Sequence, residues 1–413
     1  MSTSTDSEAA PNETIVVGAG PVGMSAALAL RARNVPVRIL EADPEDRERP
    51  GSRAIYVHGS TLQTLERNHP GLGEQLADAG LVWPTRKTLW RGKEVFSRTY
   101  SNAGGSEGLP HFTSLPQVET EEFLMEALED EGVPVEWESA VETVETSPDG
   151  VRLETEDGEE YETDYVIGAD GAGSEVRHEI GSEFHGSQSD HFYLIVDVDE
   201  HPDDQRLNER IFHYEHPEVG GRNVLLVPFQ GGWRVDIQGK SDDDPERFTE
   251  DEVVADLVAT TLGERYRDRV SWVSTYHFKQ VVADSFVDQH RRALLVGEAA
   301  HLFAPFGARG MNSGIADADA AASAITLARQ AREDGVARAA VEDFAAQREK
   351  AAEWNTAAAE EALEYLKGDK LTTKLKKRVA AELADYWTPA GEWLDDAPYG
   401  PRSGPPLATS TRY

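Results

Sequence analysis

The chain has 413 residues, enough for two or three domains with a substantial core. Acidic residues number 76 against 40 basic ones, a formal net charge of −36. That balance argues against nucleic acid or an anionic membrane as partner, because phosphates are repelled over most of such a surface. Cysteine is absent, which excludes disulfides, thiolate metal sites, iron–sulfur clusters and a cysteine nucleophile.

The opening MSTSTDSEAAPNE has neither a basic nor an apolar segment, so no signal peptide is expected, and residues 1–12 read as a disordered tail. No run of about 18 apolar residues suggests a membrane span, and the expected location is cytoplasmic. Acidic runs such as Glu41–Glu48, Glu154–Glu162 and Asp242–Asp244 read as solvated faces. With Arg far exceeding Lys, they suggest a high-salt cytoplasm, where counterions screen self-repulsion.

Thr14–Val17 is a buried strand, followed by Gly18-Ala19-Gly20-Pro21-Val22-Gly23 and a helix over Met24–Arg33. The strand Val35–Leu40 ends at Glu41-Ala42, 18 residues after Gly23. Strand, glycine turn, helix and strand-end acid together form a dinucleotide-binding fingerprint. Gly18 permits the tight turn, Gly20 lets backbone N–H groups approach a pyrophosphate, and Gly23 lets helix and strand pack closely. Glu41 can accept hydrogen bonds from ribose hydroxyls, and the helix N-terminus attracts the anion.

Helical periodicity marks Glu119–Glu131. Val133–Glu145, Val151–Glu156 and Glu160–Thr163 read as an antiparallel meander with Pro-Asp-Gly and Glu-Asp-Gly turns. Tyr165–Ile167 is a further buried strand, leading to Asp170-Gly171-Ala172-Gly173. Residues 190–280 are strand-like and aromatic-rich, with one helix near Glu250–Leu262, and read as a second domain. The strand Ala293–Val296 leads to Gly297-Glu298-Ala299-Ala300-His301, then Pro305-Phe306-Gly307-Ala308-Arg309-Gly310-Met311-Asn312-Ser313-Gly314. Helices follow over Gly314–Gln330 and Val336–Tyr365, and the Pro/Gly-rich tail from Pro389 reads as loose or wrapped on the surface. The basic cluster of Lys367, Lys370, Lys374, Lys376, Lys377 and Arg378 reads as a solvated helix. His213-x-x-His216 lacks a third ligand nearby, so no metal site is expected.

These three strand-end motifs, in this order, resemble the class A flavin-dependent aromatic hydroxylases typified by para-hydroxybenzoate hydroxylase and phenol hydroxylase. Ser52-Arg53-Ala54-Ile55, Thr61-Leu62-Gln63-Thr64-Leu65 and Trp272-x-x-x-Tyr276-x-Phe278 add to the likeness, which covers about residues 13–330. The resemblance implies an α/β fold: a Rossmann-like FAD-binding domain of the para-hydroxybenzoate hydroxylase type, an inserted mixed β-sheet substrate domain, and C-terminal helices. The FAD-binding domain is expected from 13–85, 112–185 and 285–330, the sheet domain from 86–111 and 186–284, and the helices and tail from 331–413.

The resemblance assigns FAD to Gly18, Ala19, Gly20, Pro21, Val22, Gly23, Glu41 and Ala42 at the nucleotide end. It adds Arg53 near the phosphates, Gln117 along the ribityl side and Val141 beside the adenine. Asp170 belongs to a motif linked to both flavin and nicotinamide, though an Asx turn and helix cap would also explain it. The backbone of Gly310-Met311-Asn312, before a helix Ser313–Gln330, is implied for the isoalloxazine edge. Glu298 stands where the family has Asp, Arg309 where many relatives have Gln, and Gln280 where a basic residue is common.

Substrate candidates are His213, Tyr214, Arg222, Arg234, Tyr276, Phe278 and Pro305. No catalytic side chain is expected, since the flavin carries the chemistry: NADH or NADPH as transient reductant, O2, and a flavin C4a-hydroperoxide that hydroxylates a small aromatic substrate. A monomer or homodimer is expected. The alternatives are a geranylgeranyl reductase-type oxidoreductase, or an FAD-binding protein without hydroxylase turnover.

Overall fold

The computed structural model describes residues 13–100, 108–203, 208–368 and 370–399. The tail read over 1–12 lies outside the described residues. Five short strands form a parallel sheet in the order Ala293–Leu295, Val166–Gly168, Thr14–Val17, Val37–Leu40, Val135–Glu136. Thr14–Val17 lies at its centre and is buried along its whole length, which explains its unbroken apolar, β-branched character. The helix Pro21–Arg31 begins with Pro at its first turn, directly after Gly20, and packs between this sheet and the helix Arg309–Gln330.

The segment read as one long strand over 133–145 divides. Val135–Glu136 joins the parallel sheet, while Val141–Thr146 pairs with Val151–Thr155 and that with Glu160–Thr163 in a separate antiparallel meander. The intervening residues 137–140 include Glu138, at φ +55, so the chain turns there instead of continuing extended.

The second sheet has eight strands. Phe184–Asp199 and Val270–Ala283 are its longest strands and pair near one edge; beyond Phe184–Asp199 follow Gly232–Gln238, Arg222–Phe229, Glu209–His216, Thr85–Trp90 and Lys93–Thr99. His301–Leu302 adds to Val270–Ala283 at the edge beside the long pair, so the segment leaving the parallel sheet also closes the large one. Side chains alternate across this sheet. Leu194, Val196, Val198, Val224, Val235 and Ile237 face a core capped by the helix Asp251–Leu262. Tyr193, Ile195, Leu225, Val227, Arg234 and Asp236 face the parallel-sheet half.

The helix Asp334–Lys367 ends at Gly368, where φ is +64, and is followed by helices Leu371–Leu383 and Thr388–Asp396. Of the two readings of the stretch from Pro389, loose or wrapped on the surface, the described part up to Tyr399 follows the second: it is partly helical and anchored. Asp395, fully buried, accepts from the Thr88 hydroxyl at 2.8 Å and pairs with Arg86 at 2.7 Å. The reading of the basic cluster as wholly solvated fails at Lys377. Its ammonium is buried 4.2 Å from the centre of the Tyr365 ring and donates to the Tyr365 carbonyl.

Candidate functional site

A continuous cavity of about 1500 Å³ runs between the two sheets. Its nucleotide end is built by the glycine turn. Gly18 has φ +102, and a side chain there would strike the Ala169 carbonyl; one on Gly23 would strike the carbonyl of Gly18. Gly20 differs: a Cβ there meets nothing within 4 Å, so its backbone borders open space. A pyrophosphate fits this arrangement, since the N-terminus of Pro21–Arg31 opens onto it with Gly20, Pro21 and Val22 lining the cavity. Ala19 and Gly23 lie beneath. The Ala19 N–H donates to Glu41 Oε2 at 2.5 Å, and Arg47 stands 3.1 Å from the same oxygen. Glu41 is thus fixed while bordering the cavity beside Ala42, with Val141 across from them on the meander.

Asp170 also lines the cavity, yet its oxygens are engaged within its own turn. The Ser174 hydroxyl donates to one at 2.5 Å and the Val176 N–H to the other at 3.0 Å. The turn-and-cap role is therefore real. Burial raises its carboxyl above the ordinary range despite these bonds.

Further along, Arg53 and Gln117 reach the cavity. Arg53 sits at φ +51 between two anchors. Ser52 donates its N–H and hydroxyl to Asp197 at 2.5 and 2.7 Å, and Arg234 donates to the Arg53 carbonyl. Two large-sheet residues thereby hold the segment that presents Arg53.

The flavin loop of the sequence reading reaches the middle of the cavity through Glu298, Pro305 and Gly307–Met311. The helix expected from Ser313 begins at Arg309, after Ala308 in the left-handed region at φ +52. Gly310 and Met311 therefore belong to its first turn, whose N–H groups lack helical partners. Asn312 points inward instead. Its side chain accepts from the His58 N–H at 2.9 Å and the Thr61 hydroxyl at 2.7 Å, and donates to the carbonyls of Tyr56 and Ala308. It locks the first turn to the strand Tyr56–His58.

Glu298 opens onto the cavity. Burial pushes its carboxyl up, against the pull of His301 and Arg53. Tyr276 is pushed up to about 12 by burial and by Glu298. His58, its ring 3.1 Å from the Gly307 carbonyl, is lowered to about 4 by burial and stays neutral.

At the sheet end the walls are Tyr193, Phe212, Tyr276, Phe278 and Phe306, with Arg210, Arg234 and Asp236 as polar groups. Of the substrate candidates, Arg234, Tyr276, Phe278 and Pro305 line the cavity; His213, Tyr214 and Arg222 do not, and the expectation for those three is corrected. His213 and Arg222 occupy positions of opposite parity to Phe212 and Leu225, so the pleat sends them to the other face. Arg222 is bound there by Asp243 at 2.6 Å. Tyr214 shares the face of Phe212 but lies beyond the cavity, its hydroxyl donating to the Leu394 carbonyl at 2.7 Å. The same parity count would have found Tyr193, Arg210 and Asp236. His58 carried no comparable signal.

The family described as FAD binding domain matches residues 12–358. The 6-methylpretetramide 4-monooxygenase of Streptomyces rimosus is 31% identical over 319 residues, covering 75% of this chain and 55% of that protein. Rifampicin monooxygenase of Streptomyces venezuelae is 27% identical over 318 residues, covering 74% and 62%. The chain thus spans between half and two thirds of the length of these relatives. Among solved structures, p-nitrophenol 4-monooxygenase from Pseudomonas putida superposes with a TM-score of 0.77 at 21% identity, over 95% of this chain and 99% of that one, a likeness of fold.

Proposed function

The chain belongs to the FAD-binding domain family, and on that premise we propose that it is a monooxygenase that spends NAD(P)H and O2 to hydroxylate a phenolic or related aromatic molecule. The observation that carries this reading is the single cavity joining a dinucleotide cradle to an aromatic-walled chamber. Bound FAD supplies the redox chemistry, drawing electrons from the nicotinamide and delivering them to oxygen.

The residues of the chain bind, orient and exclude water. Gly18, Gly20 and Glu41 hold the adenosine diphosphate portion, with Val141 beside the adenine. Arg53, Gln117 and Glu298 meet the phosphates and ribityl chain. With FAD seated in this cavity, the first turn at Gly310 and Met311 would offer its N–H groups and the positive end of a helix dipole to the negative charge that reduction brings. Tyr193, Phe212, Phe278 and Phe306 keep the chamber apolar, which limits wasteful release of hydrogen peroxide. Arg234, with Nε 2.7 Å from Asp236, offers a fixed polar pair to a substrate hydroxyl. Monooxygenases among the relatives support the reaction class.

The test is NAD(P)H consumption by the FAD-loaded protein across a panel of phenols, with product analysis. Stimulation with a hydroxylated product supports the proposal. A protein that binds FAD but responds to no phenol would favour the binding-only reading.

A further inference from the structure

The helix Leu371–Leu383 has two apolar faces, and one of them has no partner among the described residues. Among the described residues, ten large apolar side chains stand out in solvent, and seven of these lie between 371 and 393. The inward face, with Lys377, Ala380 and Ala381 buried, packs on the body of the protein. The outward face carries Leu371, Leu375, Val379 and Leu383 in an unbroken i, i+4 ridge. Leu371 is 82% exposed and Leu375 64%. Scattered exposed leucines are ordinary, but a contiguous ridge on one helix marks an interaction surface.

In an antiparallel pair related by a two-fold axis through Val379, Val379 meets its own copy and Leu375 meets Leu383 of the other copy. The charged flank changes sign along the helix: Lys374 and Arg378 precede Val379, and Glu382 follows it. An antiparallel crossing at Val379 brings Arg378 within about one helical turn of Glu382 of the other copy, and the two-fold repeats that contact. Lys374, Arg378 and Glu382 form no ion pair within 4 Å among the described residues, while Asp385 meets Lys93 at 2.5 Å, both half-exposed. Ridges at i, i+4 spacing interlock, and isologous contacts demand this kind of self-complementarity.

We propose that this helix is a homodimer interface, and that its occupant is the same helix of a second copy. The choice of a copy over a lipid surface rests on charge. A membrane helix of this kind keeps cations along its polar flank, whereas this flank turns acidic after Val379, and the chain as a whole carries −36. The basic cluster that stands out in so acidic a sequence thereby acquires a use: it offsets the repulsion between two acidic copies where they meet.

The experiment is sedimentation velocity on the full-length protein from about 1 to 100 µM, a range that brackets ordinary reversible dimers. Retained FAD and an unchanged melting temperature serve as checks of folding. The wild type is expected to dimerise, and Leu375→Glu to remain monomeric throughout. Arg378→Glu should weaken the dimer by about tenfold or more, because the symmetric contact then repeats a like-charge pair twice. Adding Glu382→Lys should restore it, since the reversed pair is again complementary. A wild type that stays monomeric, or a double variant as weak as Arg378→Glu, would overturn the proposal. So would a monomer that sediments with phosphatidylserine vesicles through this ridge.

Discussion

Nε2 of His301 stands 2.6 Å from Oδ2 of Asp317, and both side chains are sealed from solvent. The same oxygen accepts the Gly297 N–H at 3.2 Å, and Oδ1 meets Arg348 Nε at 2.5 Å. One carboxylate on the helix Arg309–Gln330 thus holds both ends of the loop that projects Glu298. Burial by itself would raise the Asp317 carboxyl, but Arg348 and His301 hold it below the ordinary range.

Breaking such a buried pair leaves uncompensated charge. Asp317→Ala is expected to cost about 3–5 kcal/mol of stability in denaturant titration. Arg348→Met should cost less, because it leaves Asp317 with His301 and the Gly297 N–H. Equal losses in both variants would mean that the aspartate does not organise the loop.

The glycine turn separates cofactor binding from folding. Gly20→Trp projects into open cavity space, so the variant should fold with a near-normal melting temperature while losing FAD. Gly23→Ala meets the Gly18 carbonyl at 1.9 Å and should destabilise the protein itself. Retention of FAD by the Trp variant would remove Gly20 from the cofactor cradle.

Glu298 yields a pH prediction. Its carboxyl is raised, so between the ordinary glutamate value and its own the folded apoprotein binds more protons than the unfolded chain. Stability of the apoprotein therefore falls as pH rises through that window. The carboxylate is the better acceptor for a ribityl hydroxyl, so FAD affinity should rise over the same window. Glu298→Ala should weaken FAD by about 1.5–3 kcal/mol, the range for a hydrogen bond to a charged group. Glu298→Asp should be tolerated, and Glu298→Gln should bind with little pH dependence. Fluorescence titration of apoprotein at fixed salt measures all three. Wild-type affinity in Glu298→Ala would place the side chain away from the cofactor.

Lys377 is lowered to about 8 by burial, despite the rings beneath it. Below that pH the lysine is charged in both folded and unfolded states, and the burial penalty is fully present. Between about 8 and the ordinary lysine value the unfolded chain binds more protons, so stability rises with pH. Lys377→Met should therefore stabilise the protein at neutral pH, by roughly 1–3 kcal/mol. Thermal unfolding across pH 6–10 checks this, and a destabilised variant would show that the Tyr365 carbonyl and the rings outweigh desolvation.

Much of the nucleotide end is legible in the sequence because its signals are local. Gly18, Gly20, Gly23 and Glu41 lie within one strand–helix–strand unit, and backbone sterics fix their spacing. The motifs at Asp170 and Glu298 follow buried strands for the same reason: strand ends in a parallel sheet converge on one edge. The substrate end depends on which face of a strand a side chain takes, and a one-residue difference in parity reverses the answer. His213 and Arg222 were misplaced on that account, whereas Arg234, Tyr276 and Phe278 lie on the cavity side.

What the tertiary structure alone decided is the set of contacts between segments distant in the chain. Asp317 with His301 and Arg348, Asp197 with Ser52, and Asp395 with Arg86 join residues from 16 to 309 positions apart. No local pattern encodes them, because each charge is tolerated in the interior only once folding delivers its partner. The sequence determined by itself that the chain carries a dinucleotide-binding turn and where that turn lies, since helix termini and glycine turns act over a few residues. The shape of the aromatic chamber, and the helix ridge left facing solvent, were settled by how the layers pack.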